Sequence, residues 1–281
     1  MILWDRVPIM RREFILWALG ALLASAAAAQ TADVWKVVWS DEFDQDGRPN
    51  PTKWRYETGF VRNQELQWYQ PENAWCEKGM LIIEGRRERK KTPNFELGSR
   101  NWTTNREYAE YTSASLTTKG IASWSYGRFE MRGRIDTRAG LWPAFWSMGI
   151  DGRWPANGEI DIMESYGGTL LANLIWAGQG RSTSFTRRKP IAAFADAEWS
   201  DKFHIWRMDW DENRIAISVD GEALNDSDLN RAANPDGKNG FRQAHYVILN
   251  LAIGGNPGGD PSATGFPARF EIDYVRIYQK Q

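Results

Sequence analysis

The sequence predicts an all-β protein made of two packed antiparallel sheets, and three observations support that class. Short strand-like segments recur between turns rich in Gly, Pro and Asn. The segment RFEMRGRI (128–135) alternates apolar and charged residues, as a strand with one buried face does. No long segment has helical periodicity, and the weak helix candidates lie near 191–200 and 226–233.

The strand-like segments continue through the chain without an internal repeat or a low-complexity linker. Turn signals at 211–214 (DENR) and 220–221 (DG) flank one of them. We therefore predict one domain spanning 30–281. The segments predicted as strands are 34–39, 80–85, 128–135, 142–148, 159–164, 170–176, 203–210, 214–219, 246–253 and 269–278.

Residues 1–29 have the pattern of a cleavable export signal. Arg11 and Arg12 precede an apolar run over 14–23, and Ala27 and Ala29 fit the A-x-A cleavage site. The run is shorter than the ~20 residues of a membrane span. The stretch MRREFIL also resembles a twin-arginine signal, with Met10 as an alternative start. We expect a secreted or periplasmic protein that is free of the membrane after cleavage.

Composition narrows the function classes. The 281 residues carry a formal net charge of −1, which gives no support for nucleic-acid binding. The 16 Trp residues fit either a β-rich core or a groove of rings that stack on sugars. Cys76 is the single cysteine, so no internal disulfide can form, and we interpret it as a small buried side chain.

Several catalytic patterns are absent from the sequence. It contains no G-x-S-x-G elbow, no H-E-x-x-H motif and no Walker loop. His204 and His245 are the only histidines, which excludes a His-rich metal site, and we interpret His204 as structural. The glycine-rich stretch 254–260 lacks the strand-to-helix context of a phosphate loop.

The segment GEIDIMES (158–165) holds three carboxylates with unequal gaps. Strand alternation places Glu159 and Asp161 on one face and Glu164 on the other. A β-bulge in which Ile162 and Met163 oppose one partner residue would return Glu164 to the first face. Two carboxylates about 5–5.5 Å apart suit a retaining glycosidase. A metal-binding acid cluster and a solvated face remain alternatives from this segment alone.

The surrounding motifs resemble glycoside hydrolase family 16 over about residues 35–279. The resemblance implies a β-jelly-roll sandwich with a concave substrate cleft and a retaining, endo-acting hydrolase of β-linkages. It implies Glu159 as nucleophile, Asp161 as its assistant and Glu164 as acid/base. The bulged motif resembles that of laminarinases, agarases and carrageenases. The motifs are VVWSDEFD (37–44), NQELQWY (63–69), YTSASLTTKG (111–120), YGRFEMR (126–132), GLWPAFWSMG (140–149), WPANGEIDIMES (154–165), FHIWRMDW (203–210) and FEIDYVRIY (270–278).

The same resemblance implies further site residues. It implies sugar contacts, and it requires no cofactor for catalysis. It also implies a structural calcium ion away from the cleft. The expected partner is a polysaccharide, and the chain is expected to be a monomer. The implied sugar contacts are Asn63, Arg128, Trp142, Trp146 and Trp154, and the implied calcium ligands are Glu42, Gly79 and Asp273.

The predicted substrate is β-1,3-glucan or mixed-linkage β-glucan. One departure keeps a β-galactan open: laminarinase-like members commonly have a His on the strand after the catalytic one, and 169–178 has none. Asn173 or Trp176 stands near that place. Transglycosylation is open as well. A carbohydrate-binding protein without activity is the alternative from another class, but such a protein is expected to lack Glu159 or Glu164.

Overall fold

A computed structural model describes residues 34–179 and 182–281. Two large antiparallel sheets dominate this part of the chain, and Val34–Gln281 form one compact unit. The predicted all-β class with two packed sheets is therefore confirmed. The predicted export signal, residues 1–29, lies outside the described residues.

The first large sheet has seven strands. Its spatial order is β14-β13-β12-β11-β18-β9-β2, and each neighbouring pair runs antiparallel. The strands are β2 (Arg55–Glu57), β9 (Ser115–Thr117), β11 (Leu141–Gly149), β12 (Glu159–Tyr166), β13 (Thr169–Ala177), β14 (Ser182–Pro190) and β18 (His245–Ile253).

The second large sheet has eight strands in the order β17-β16-β15-β10-β19-β5-β4, with β1 also paired to β19. These strands are β1 (Trp35–Asp41), β4 (Ala74–Glu77), β5 (Met80–Gly85), β10 (Gly127–Ile135), β15 (His204–Trp210), β16 (Arg214–Val219), β17 (Glu222–Asp228) and β19 (Ala268–Lys280).

Short elements complete the described chain. A parallel pair joins β3 (Gln67–Tyr69) to β8 (Tyr111–Ser113), and an antiparallel pair joins β6 (Lys90–Lys91) to β7 (Tyr108–Ala109). No helix in 34–179 or 182–281 is long and apolar enough to cross a membrane. The helices are one α-helix, α1 (Gly255–Gly258), and 3₁₀ turns at Pro71–Asn73, Ile191–Phe194, Trp199–Asp201 and Leu229–Arg231.

Each segment predicted as a strand contains a strand, but both helix candidates are wrong. The first contains only short 3₁₀ turns, and the second overlaps the end of β17 and another 3₁₀ turn. Among the longer strands, β14 and β17 escaped prediction because neither alternates cleanly. The short strands β2, β3, β4, β6, β7, β8 and β9 were not predicted either. In STSFTRRKP of β14 no residue is fully buried, as befits a strand at a sheet edge.

The main core lies between the two sheets. Phe129 and Met131 of β10 point into it, together with Phe145 of β11 and Ile160 and Ile162 of β12. All five side chains have 0% exposure. Because strand side chains alternate, the intervening residues of β11, β12 and β13 face outward from the seven-stranded sheet. The candidate site lies on that outer face.

Candidate active site

The strand β12 carries the bulge that the uneven spacing predicts. Glycines 167 and 168 both have positive φ, 58° and 69°, as a two-residue hairpin turn of type I′ requires. Beyond the turn Glu164 pairs with Leu171, but Asp161 pairs with Asn173. Residues 162 and 163 thus oppose Ala172 alone, and both are fully buried.

The bulge places all three carboxylates on the outer face. Glu159, Asp161 and Glu164 line the same cleft, although regular alternation would bury the third. On the other side of β12, Asp161 lies opposite Trp146 and Glu164 opposite Ala144 of β11. Asp161 is only 4% exposed, which rules out a solvated acidic face.

Neutral donors hold the three carboxylates. The indole of Trp154 donates to Glu159 Oε2, and Trp142 Nε1 donates to Glu164 Oε1 at 2.6 Å. Asn173 Nδ2 donates both to Asp161 Oδ2 at 2.8 Å and to Glu164 Oε2 at 3.0 Å. In the described part of the chain no Lys or Arg forms a salt bridge with any of the three.

Burial raises the pKa of each carboxyl group, but to different extents. Burial raises the pKa of Glu164 to about 7, although hydrogen bonds from Trp142 and Asn173 oppose the rise. Burial and the charges of Glu159 and Glu164 hold the pKa of Asp161 well above its usual value. Burial also raises the pKa of Glu159, opposed by hydrogen bonds from Trp154 and Asp161 and by the charge of Arg62.

The carboxylates lie in a cleft of about 500 Å³ on the outer face of β11–β14. Indole rings, apolar side chains and a few polar groups line it, which is the composition expected of a ligand site. The lining residues are Arg62, Asn63, Trp142, Trp146, Met148, Trp154, Glu159, Asp161, Glu164, Tyr166, Leu171, Asn173, Ile175, Thr186, Arg188 and Pro257.

The predicted tryptophans all line the cleft, but with unequal exposure. Trp154 is 53% exposed, whereas Trp142 and Trp146 are each 7% exposed. Trp146 also donates from Nε1 to Asn250 Oδ1 at 2.7 Å. Trp154 therefore offers the largest free face for a sugar ring, and the other two are also packed into the sheet surface.

Of the two predicted polar contacts, Asn63 lines the cleft and Arg128 does not. Asn63 has a φ of 55°, and its amide lies 3.4 Å from Glu65 Oε1. The prediction for Arg128 is wrong. Arg128 lies on β10 in the other large sheet, where Nε and Nη2 bind both carboxylate oxygens of Asp209 at 2.6 and 3.0 Å. Alternation correctly placed Arg128 outward but could not assign the sheet.

The predicted calcium ligands lie at the eight-stranded sheet. The Glu42 carboxylate is bound by Arg276, and Asp273 Oδ2 accepts from Arg132 Nη1 at 2.7 Å. Gly79 has a φ of 74° in the turn before β5. Among the described residues, no group of three or more His, Cys, Asp or Glu could hold a metal ion. Calcium binding here stays a prediction.

Arg62 is the main cleft residue that the sequence did not reveal. Its Nη2 donates to Glu57 Oε2, which also accepts from Ser115 Oγ at 2.6 Å. The guanidinium carbon lies 5.0 Å from the ring centroid of Trp146, within the range of a cation–π contact. Arg62 is about 100 residues from the catalytic segment in sequence, and it directly precedes the motif NQELQWY (63–69) without being part of it.

Asn173 could have been placed from sequence. The Gly167-Gly168 pair indicates a two-residue hairpin, and counting back through the bulge puts Asn173 opposite Asp161. The same register places Tyr166 and Arg188 at the cleft. Arg188 lies on the neighbouring strand β14, where it pairs with Leu171 of β13. Arg188 was not identified because the polar sequence of β14 was not recognised as a strand.

Comparisons with known proteins agree with this geometry. The sequence profile of Glycosyl hydrolases family 16 matches residues 84–276. A Rhodothermus marinus protein named beta-glucanase is 36% identical over 299 residues, which cover 96% of this chain and 94% of that protein.

Two solved structures are also similar. The catalytic domain of an endo-1,3-beta-glucanase (laminarinase) from Thermotoga petrophila has a TM-score of 0.74 and 33% identity, over 89% of this chain and 99% of its own. A structure described with endo-acting O-glycanases of the human gut microbiota that initiate mucin breakdown has a TM-score of 0.81 and 34% identity. It covers 88% of this chain and 91% of its own.

Proposed function

Because this chain belongs to Glycosyl hydrolases family 16, we propose that it is an endo-acting, retaining β-glycan hydrolase. The observation that carries the proposal is the bulged strand, which turns Glu159, Asp161 and Glu164 to one cleft. Its two-sheet fold is the β-jelly roll of this family. We propose β-1,3-glucan or mixed-linkage β-glucan as substrate.

The first chemical step uses the carboxyl groups in different protonation states. Glu164, with its pKa raised to about 7, holds a proton at and below neutral pH. It donates this proton to the glycosidic oxygen while the Glu159 carboxylate attacks the anomeric carbon. The bond to the leaving sugar breaks, and a covalent glycosyl–Glu159 ester remains.

Asp161 supports that division of roles. Burial and the neighbouring carboxylates raise its pKa well above the usual value, which favours the protonated form, and a hydrogen bond joins it to Glu159. A protonated Asp161 adds no like charge beside the nucleophile. The proposed mechanism therefore assigns the carboxylate form to Glu159, the group that attacks.

The second step reverses the proton transfer. Glu164, now a carboxylate, removes a proton from a water molecule, whose oxygen attacks the anomeric carbon. Glu159 leaves as a carboxylate and Glu164 is protonated again. Two inversions give net retention. A sugar hydroxyl in place of water would give transglycosylation.

The test is a substrate panel of laminarin, lichenan, agarose and carrageenan with product analysis. We expect internal cleavage of laminarin or lichenan and β-configured first products by proton NMR. α-Configured first products from a β-glycan would contradict the retaining mechanism. Absence of cleavage of every glycan would favour the carbohydrate-binding alternative.

A β-galactan is the second candidate substrate, and one feature favours it. Asn173 lies opposite Asp161, on the strand where the laminarinase-like pattern commonly has His. Similarity to the structure described with endo-acting O-glycanases that initiate mucin breakdown supports testing mucin glycans as well. Cleavage of agarose or a mucin glycan with laminarin left intact would establish this candidate.

We further propose that the enzyme is exported and acts as a monomer on its polysaccharide, with no cofactor in the reaction. The sequence pattern of residues 1–29 supports the export proposal. N-terminal sequencing of the exported protein should give Gln30 as the first residue. Light scattering of that protein would measure its mass in solution.

A further inference from the structure

Asn173 contacts both halves of the proposed catalytic apparatus. It lies on β13 directly opposite Asp161, and its side chain lines the cleft. Its single Nδ2 donates to Asp161 at 2.8 Å and to Glu164 at 3.0 Å. An amide nitrogen has two hydrogens, so these two contacts use its full donor capacity.

The acceptor oxygens around this amide determine its orientation. Its nitrogen faces two carboxyl groups, and the reversed orientation would place a carbonyl oxygen against their acceptor oxygens. In the observed orientation Asn173 Oδ1 is buried and has no hydrogen-bond partner. Burial of an unpartnered carbonyl is unfavourable, so the two donated bonds must outweigh that cost.

The contact with Asp161 also restricts where its proton lies. Because Oδ2 already accepts from Asn173, we assign Oδ1 as the oxygen that carries the proton shared with Glu159. On Glu164, Oε1 accepts from Trp142 and Oε2 from Asn173. One neutral amide thus connects the acid/base to the pair formed by the assistant and the nucleophile.

We propose that Asn173 is a positioning residue that fixes Glu164 relative to Asp161 and directs the Asp161 proton toward Glu159. The proposal rests on the proposed hydrolase function for its catalytic consequence. An amide does not titrate, so the link persists at every pH at which the protein is folded. A neutral imidazole at this position has one N–H and could serve only one of the two carboxyl groups.

The main test is Asn173→Leu, which is similar in size and removes both donors. We expect kcat to fall by about 10²-fold, the effect of a small misplacement of catalytic groups. Loss of a hydrogen bond to the charged form raises the pKa of Glu164 further. The basic limb of the kcat/KM profile should therefore move to higher pH by about one unit.

A second variant guards against misfolding. Asn173→Asp keeps the shape of the side chain but replaces the donor nitrogen with a carboxyl oxygen. That oxygen can donate one hydrogen bond when protonated and none when ionised, so it cannot replace both bonds. The basic limb should again move to higher pH, and kcat should fall. The matched control is Asn73→Leu, because Nδ2 of the buried Asn73 also donates twice, to Glu84 O at 2.7 Å and Thr112 Oγ1 at 3.0 Å, outside the cleft. This control should lower Tm and leave the pH profile in place.

A measurement without substrate separates this inference from the proposed function. The folded-state pKa of Glu164 is raised, so its stabilising contribution is full below the unfolded pKa and is lost as pH rises toward about 7. In Asn173→Leu that decline of Tm should continue above pH 7, whereas Asn73→Leu should parallel the wild type.

The outcomes are distinct. A wild type that cleaves no glycan overturns the proposed function, and the Tm profiles then decide the link between Asn173 and the carboxyl groups. If Asn173→Leu and Asn173→Asp keep the wild-type pH profile and the wild-type decline of Tm, the inference is overturned. A Tm loss alone would make Asn173 an ordinary buried polar residue.

Discussion

Both large sheets carry acids on their outer faces, but those acids have different partners. On the eight-stranded sheet, Glu271 binds Arg134 and Asp209 binds Arg128, and similar pairs hold Glu84, Glu130, Asp226 and Asp273. On the seven-stranded sheet, Glu159, Asp161 and Glu164 receive hydrogen bonds from indole and amide groups.

The difference shows how one residue type acquires two roles. An ion pair favours the charged form: hydrogen bonds from Arg276, for example, lower the pKa of Glu42. Burial with only neutral donors favours the protonated form and raises the pKa of Glu164 to about 7. The three carboxyl groups assigned to the reaction are held by neutral donors rather than by a bound cation, and the following experiments probe this contrast.

The largest effect should come from removing a carboxylate of the cleft. Glu159→Gln and Glu164→Gln should each lower kcat by at least ~10²-fold, the scale of a lost catalytic group. Glu271→Gln is the matched control, since Glu271 is bound by Arg134 on the other sheet. Near-wild-type turnover in a folded Glu159 or Glu164 variant would remove that residue from the mechanism.

Removal of the exposed cleft ring should have the next largest effect. Trp154→Ala should raise KM about 2–10-fold, the value of an aromatic contact, and should leave Tm nearly unchanged because the ring is 53% exposed. Trp146→Ala should instead lower Tm markedly, since that ring is 7% exposed. An unchanged KM for Trp154→Ala on long substrates would contradict a sugar-stacking role.

A smaller effect should follow the removal of a nearby cation that is not bound to the acid. The charge of Arg188 lowers the pKa of Glu164, so Arg188→Gln should move the basic limb of kcat/KM to higher pH. Because Arg188 is exposed and screened, the expected shift is about a few tenths of a pH unit. Arg187→Gln, at the neighbouring position on the opposite face, should leave the limb in place. A shift to lower pH would contradict the assignment.

The smallest effect is expected from substitution of Arg128, which lies outside the cleft. Arg128→Gln should keep KM within about twofold of wild type, because Arg128 binds Asp209 on the far sheet. Loss of this partly exposed ion pair should reduce stability by about 1 kcal/mol or less. The measurements are steady-state kinetics and thermal unfolding. A large rise of KM with unchanged Tm would restore Arg128 to the site.

The sequence predicted what depends on local alternation. The spacing in EIDIME was sufficient to predict the bulge, and alternation placed Phe129 and Met131 in the core. Alternation was insufficient to place Arg128, because it does not indicate which of the two sheets a strand joins. It was also silent on Arg62, whose role beside Trp146 arises from contacts between segments distant in the chain.

The bulge also determines which changes of length the gene could tolerate at this site. Before the bulge the odd-numbered residues of β12 face the cleft, and after it the even-numbered ones do. Loss of the single codon for Met163 would leave the three acids in regular alternation, all still outward. A gained codon at the same place would turn Glu164 into the core. In-frame deletions should therefore survive selection for glycan cleavage where insertions do not.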